Sequence, residues 1–248
     1  MAVNVDTVYQ RILMIANKEQ RGYITPQEFN LMANQAQMDI FEQYFYDLNQ
    51  FNRTPDNNTE YSNMTSILKE KISIFEDTFE ATTKSGNAIT LPNDVYRLGQ
   101  VLYGTSASNY NVVEPIDNNR LVSILRSKLT YPSAKRPIYV RNGDSIGDHG
   151  SLRLRIYPST LTSSIKINYI KQPATVVWGY SLVPNSDAVD GYTALYNQST
   201  STNFSIHSSE ETELVIKILQ LAGIVLEDPS LYQMASGEDQ KSIQQEKI

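Results

Sequence analysis

In "VNVDTVYQRILMIA", residues 3–16, Val5, Val8, Ile12 and Ile15 recur at helical spacing and predict an amphipathic helix. A second helix begins at "TPQE". Thr25 can cap it, Pro26 suits the first helical position, and Glu28 completes a capping box. The pattern continues to about Asn49, a helix of ~36 Å at 1.5 Å per residue. Phe29, Ala33, Ala36, Ile40 and Tyr44 form one apolar stripe along it. Leu31, Met38 and Phe45 form a second on the opposite side. A helix apolar on two sides must be covered twice, so this second stripe is either a subunit interface or buried within one subunit's own bundle.

Residues 51–65 read as a polar loop, and from Phe75 the period shifts toward two. "FEATTKSGNAITLP" predicts a hairpin around Ser85, Gly86 and Asn87, and "VYRLGQVLYG" a further strand. "PIDNNRLVSILRSKL" predicts a short helix near 118–128, capped by Asp117 or Asn118. "RPIYVRN", "SLRLRIYPS" and "SSIKINYIKQP" predict three strands. In the second, Leu152, Leu154 and Ile156 alternate with Arg153, Arg155 and Tyr157, one buried and one wet face of an antiparallel sheet. Residues 179–205 read as a polar excursion.

Helix returns at "SSEETELVIKILQLAGIVLEDPS", where Ser208 and Glu211 suggest another capping box. Residues 214–226 are apolar around almost the whole circumference and too few to span a bilayer, which predicts a core helix. The tail, residues 230–248, has few apolar positions: Leu231, Tyr232, Met234, Ile243 and Ile248. Burying them cannot offset the entropy of ordering the segment, so the tail is expected to order by docking on a partner. The fold expected is α+β. Residues 1–75 and 206–248 would form a discontinuous helical bundle, and 76–205 an inserted, sandwich-like antiparallel β domain.

Composition narrows the function classes. With 248 residues the chain can bury a full core. A net charge of -6 and a pI near 5.0 argue against electrostatic nucleic-acid binding by the whole chain. There are no cysteines, which excludes disulfides, thiolate metal sites and cysteine catalysis. Mean hydropathy of -0.37 argues against a membrane protein, and "MAVNVDTVYQ" has no signal-peptide pattern. The 16 tyrosines, with abundant Asn, Gln, Ser and Thr, suit interfaces that hydrogen-bond and stack.

Two stretches mimic chemistry. "NKEQRGYITPQEF", residues 17–29, has the spacing of a calcium loop, with Asn17, Glu19, Arg21 and Glu28 at the principal ligand positions. Arg21 offers no oxygen and brings positive charge, so a helix corner is the better reading. "GDSIG" places Ser145 in a G-x-S-x-G pattern, but a strand follows where a nucleophile elbow needs a helix. His149 and His207 have no catalytic spacing to Ser145. With two histidines and no H-E-x-x-H, no zinc motif is legible. No cofactor site or catalytic residue is expected, which predicts a non-enzyme. Arg153, Arg155, Lys166 and Lys171 suggest a basic strip on the sheet.

"GYITPQEFNLMANQAQMDIFEQYF" resembles the opening helix corner of ring proteins in crAss-like bacteriophages. "AITLPNDVYRL", "LRLRIYPS", "SIKINYIKQPA" and "ETELVIKILQLAGIVLEDPSLY" resemble the wider tail-adaptor group of short-tailed phages. The resemblance covers most of the chain by architecture, and residues 179–205 fit it least. It implies a virion structural protein: a ring homo-oligomer, a dodecamer, stacked on the portal protein or on other tail ring proteins. DNA would pass through the lumen without sequence-specific binding, and no membrane is involved. Assembly would take place in the bacterial host cytoplasm. It carries over no catalytic residues. Two other classes stand against it, a calcium-responsive EF-hand-like module on residues 17–29 and a serine esterase using Ser145.

Overall fold

The computed structural model describes residues 3–18, 24–51, 63–81, 88–106, 109–143, 152–161, 164–184, 192–225, 233, 235–238, 240 and 241. The fold is α+β, with helices toward both chain ends and a strand-rich middle. Two compact units result: Met1–Ile74 with Pro173–Ile248, and Phe75–Gln172.

The first unit holds α1 (Val5–Lys18), α2 (Pro26–Phe51), α3 (Met64–Ser73) and α5 (Glu211–Val225). The start of α2 forms as its sequence requires. The Thr25 hydroxyl accepts from the Glu28 amide at 3.3 Å, and the Glu28 carboxylate accepts from the Thr25 amide at 2.9 Å and the Thr25 hydroxyl at 2.7 Å. Phe29, Ala33, Ala36, Ile40 and Tyr44 are buried, as the first stripe predicts. α5 packs on both α1 and α2, and α3 packs on α2. Leu214, Val215, Ile218, Leu219 and Ala222 of α5 are buried, which makes it the core helix expected. α5 does not begin with the predicted capping box. A 3-10 turn over Ser208–Glu210 precedes it, and His207 caps that turn by accepting from the Ser209 amide through Nδ1 at 3.2 Å.

The boundary between the units falls after Gln172, so residues 173–205 lie with the helices and not in the β domain. The reason is a row of amide side chains on α2. Asn30 accepts from the Trp178 amide at 2.7 Å and donates to its carbonyl at 3.4 Å. One helical turn on, Asn34 accepts from the Val176 amide at 2.8 Å and donates to its carbonyl at 2.9 Å. Gln37 donates to the Ala174 carbonyl at 2.9 Å and accepts from the Ser205 amide at 2.9 Å. The three side chains supply what a neighbouring strand would, so an extended segment lies on a helix with its peptide groups satisfied. Trp178 anchors the segment. Its indole N–H donates to Asp6 at 2.9 Å, and its ring lies 4.5 Å from that of Tyr9.

The segment then turns into a two-stranded ribbon, β9 (Tyr180–Pro184) with β10 (Tyr192–Tyr196). Gly179 sits at its root because a Cβ there would meet Thr200 Oγ1 at 2.2 Å and the Thr200 carbonyl carbon at 2.7 Å.

The second unit is a sandwich of two four-stranded sheets. One has the order β2-β7-β6-β5: β2 (Ala88–Thr90), β7 (Leu152–Tyr157), β6 (Ile138–Gly143) and β5 (Glu114–Pro115). The other has the order β1-β8-β3-β4: β1 (Glu76–Ala81), β8 (Ile165–Lys171), β3 (Val95–Ser106) and β4 (Asn109–Val112). Ile89, Leu154, Ile156 and Tyr139 from the first sheet share one core with Ala81, Val101, Ile165 and Ile167 from the second. Two expectations change. β1 pairs with β8 and β2 with β7, so the segment predicted as a hairpin passes between sheets. β5 and β6 run parallel in an otherwise antiparallel unit. α4 (Asn118–Arg126) packs Leu121 on Ile138 and Val140, covering part of one outer face.

Candidate functional site

The predicted interface stripe on α2 is uneven. Leu31 stands 74% exposed, whereas Met38 and Phe45 are half-buried. The Phe45 ring meets Phe41 edge-on at 5.1 Å. A seven-residue repeat drifts ~20° per repeat on a straight helix, so positions in register at one end rotate toward cover at the other.

A larger apolar surface lies on the ribbon, where the sequence reads as polar. Leu182 and Leu195 are 62% and 59% exposed, and Val183 and Tyr192 are exposed beside them. The available signal was "YSLVP" and "YTALY", two short β-prone runs hidden among Ser, Thr, Asn and Asp. On the second unit, Val122 of α4 and Leu129 and Tyr131 after it are exposed. Beside α4 lies an open groove of about 470 Å³ lined by Ile116, Asp117, Arg120, Ile124, Tyr139 and Arg141 among others.

The basic side chains do not join into one strip. Arg153 and Arg155 belong to β7 in one sheet, while Lys166 and Lys171 belong to β8 in the other. Lys166 pairs with Glu80 at 2.5 Å and lies over the Tyr110 ring, and Lys171 lies 3.8 Å from Asp77. The Lys166 ammonium is held above its usual range, first by its bond to Glu80 and then by Tyr110. Arg153 donates to Thr90 at 3.2 Å.

The calcium-loop spacing divides across two helices: Asn17 lies in α1 and Glu28 in the first turn of α2, with Glu19 and Arg21 outside the described residues. Hydrogen bonds from the Thr25 side chain and backbone lower the Glu28 pKa, so the carboxylate at the twelfth position is already engaged in starting a helix. Millimolar calcium or EDTA should therefore leave the melting temperature unchanged. A calcium-dependent rise of several degrees in a thermal scan would overturn that expectation. Ser145 and His149 lie outside the described residues. The His207 ring nitrogen is taken up by Ser209, 2.9 Å from its hydroxyl. Among the described residues no three His, Asp or Glu gather where they could hold a metal ion, and no helix is long and apolar enough to cross a membrane. Leu231, Tyr232, Met234, Ile243 and Ile248 also lie outside the described residues; around them, 235–238 are helical with Ala235 buried.

Among the described residues, Glu210 is a buried carboxylate held by an ionic partner. Glu210, 4% exposed, meets Lys71 Nζ at 2.7 Å and accepts from the Ser209 hydroxyl at 2.7 Å. Lys71 lies 5.7 Å from the centre of the Tyr44 ring. Burial raises the Glu210 pKa, and the bonds from Lys71 and Ser209 more than offset this, leaving it below its ordinary value. A paired, buried carboxylate on a packing surface ties α3 to the start of α5.

Compared with known proteins, this chain matches no family model and no curated protein.

Proposed function

We propose that this chain is a virion structural protein, a ring-forming adaptor subunit between the portal and tail of a short-tailed phage, with DNA passing through the ring. The observation that carries the reading is the set of apolar side chains left exposed in one unit, Leu31 on α2 and Leu182, Tyr192 and Leu195 on the ribbon. Monomeric proteins scatter exposed apolar side chains singly, and groups of them on one element mark contact with another protein. The sequence resemblance supplies the kind of assembly. In this reading the acidic chain lets DNA slide, because a strongly basic lumen would hold it.

The test is electron microscopy of the purified protein, where rings are expected. Leu31→Glu with Met38→Glu should abolish the rings and leave the far-ultraviolet circular dichroism of a folded chain. A folded double variant that still forms rings would remove α2 from the interface. A wild-type protein that stays monomeric would overturn the ring reading.

A further inference from the structure

Charge is divided unevenly between the two units. The first carries nine Lys and Arg against nineteen Asp and Glu, the second twelve against eight, for net charges of -10 and +4. The positive excess gathers around α4. Arg120, Arg126, Lys128, Lys135, Arg136 and Arg141 are all exposed, and none forms an ion pair among the described residues. Val122 and Arg126 share the outward face of α4, because Leu121, Ile124 and Leu125 turn toward Ile138 and Val140. Leu129 follows, 93% exposed, and Tyr131 is exposed two residues on. The opposite character appears on α2, which has four carboxylates and no Lys or Arg. Its Leu31, Asp39, Glu42 and Tyr46 are exposed, and helical spacing places them within ~80° of one another. Asp39 accepts from Gln35 at 2.8 Å, and neither Asp39 nor Glu42 meets a cation among the described residues.

We infer that the α4 surface of one subunit docks on the outer face of α2 in a second copy of this chain. This deepens the ring reading and rests on it. Each surface mixes charge of one sign with exposed apolar side chains, so the two are complementary in both respects. Opposite charges select the partner and its register, and the apolar side chains exclude water around them. The same mixture argues against other partners. A phosphate backbone is met by basic and hydrogen-bonding groups, and offers Val122, Leu129 and Tyr131 nothing to pack on. A lipid surface is flat, whereas Arg120 and Arg141 line an open groove of about 470 Å³ that suits protruding side chains. Because the two surfaces differ, the contact is head-to-tail, and such a contact closes into a ring when its rotation allows.

The test uses two variants of the full chain, Arg126→Glu/Lys128→Glu and Asp39→Lys/Glu42→Lys, with light scattering after size exclusion. All four positions are exposed, so both variants should keep the wild-type melting temperature. Each alone should associate at least about 100-fold more weakly than wild type, because like charges then face each other across the contact. Mixed in equal amounts they should assemble again, since the reversed α4 surface of one meets the reversed α2 face of the other. A mixture that stays apart, or single variants that assemble as wild type does, would overturn this contact and leave the ring reading standing. A wild type that never assembles would overturn both. Duplex-DNA binding that is lost in Arg126→Glu/Lys128→Glu would overturn the contact in favour of a phosphate partner.

Discussion

Replacing Lys71 by methionine should destabilise the protein by about 3–5 kcal/mol, because it leaves the Glu210 carboxylate buried without its counter-charge. In a chain of this size that corresponds to a fall of roughly 10 °C in melting temperature. Exchanging both partners, Lys71→Met with Glu210→Met, should recover most of the loss, since a well-packed apolar pair avoids the cost of burying charge. The dependence on pH separates this mechanism from simple loss of packing. In wild type the Glu210 pKa lies below its ordinary 4.5. The pair's contribution is therefore present in full above 4.5 and declines as the pH falls through the folded-state value. In the single variant burial, which raises the pKa, is opposed only by the bonds with Ser209 and Glu213, so the Glu210 pKa should rise relative to wild type. Its stability should then fall less on acidification than that of wild type. Urea midpoints between neutral and acid pH measure both slopes. Parallel profiles would show that Glu210 is not the group responding.

A loss of comparable size should follow Asn34→Leu. The substitution deprives both the amide and the carbonyl of Val176, a residue with no exposed surface, of their bonds to α2. An unsatisfied buried peptide group costs about 1–3 kcal/mol, so a loss of about 2–5 kcal/mol is expected. Gln35→Leu, one residue away, breaks only an exposed bond to Asp39 and should change stability by less than about 0.5 kcal/mol. Chemical denaturation of the two variants gives the comparison. Equal midpoints would mean that the amide row contributes little.

These two sites also show where the sequence was readable. The capping box at Thr25 and Glu28 is local, since four residues contain both partners, and its bonds form as read. The buried stripe on α2 and the apolar circumference of α5 were readable for the same reason. Strand existence was legible along β6, β7 and β8, but strand partners were not. Alternation reports that one face is covered without saying by which neighbour, so β1 and β2 looked like a hairpin while joining different sheets. Asn30, Asn34 and Gln37 gave no signal in the sequence because their partners lie more than 130 residues away. The Lys71–Glu210 pair left no local mark in the sequence for the same reason. Of the candidate interface, Leu31 was visible as the first position of the second stripe on α2. The ribbon was hidden by its polar surroundings.

The amide row also sets a schedule for synthesis. α2 leaves the ribosome long before the segment that satisfies Asn30, Asn34 and Gln37, and the whole second unit is made in between. At the usual 5–20 residues per second that delay is on the order of ten seconds. The second unit is one continuous stretch of chain and can fold as soon as it emerges. The first unit cannot close until Trp178 and α5 arrive, so during the wait the stripe from Phe29 to Tyr44 is exposed in every nascent chain. A cell making this protein in quantity must either shield that helix or translate the middle of the message quickly.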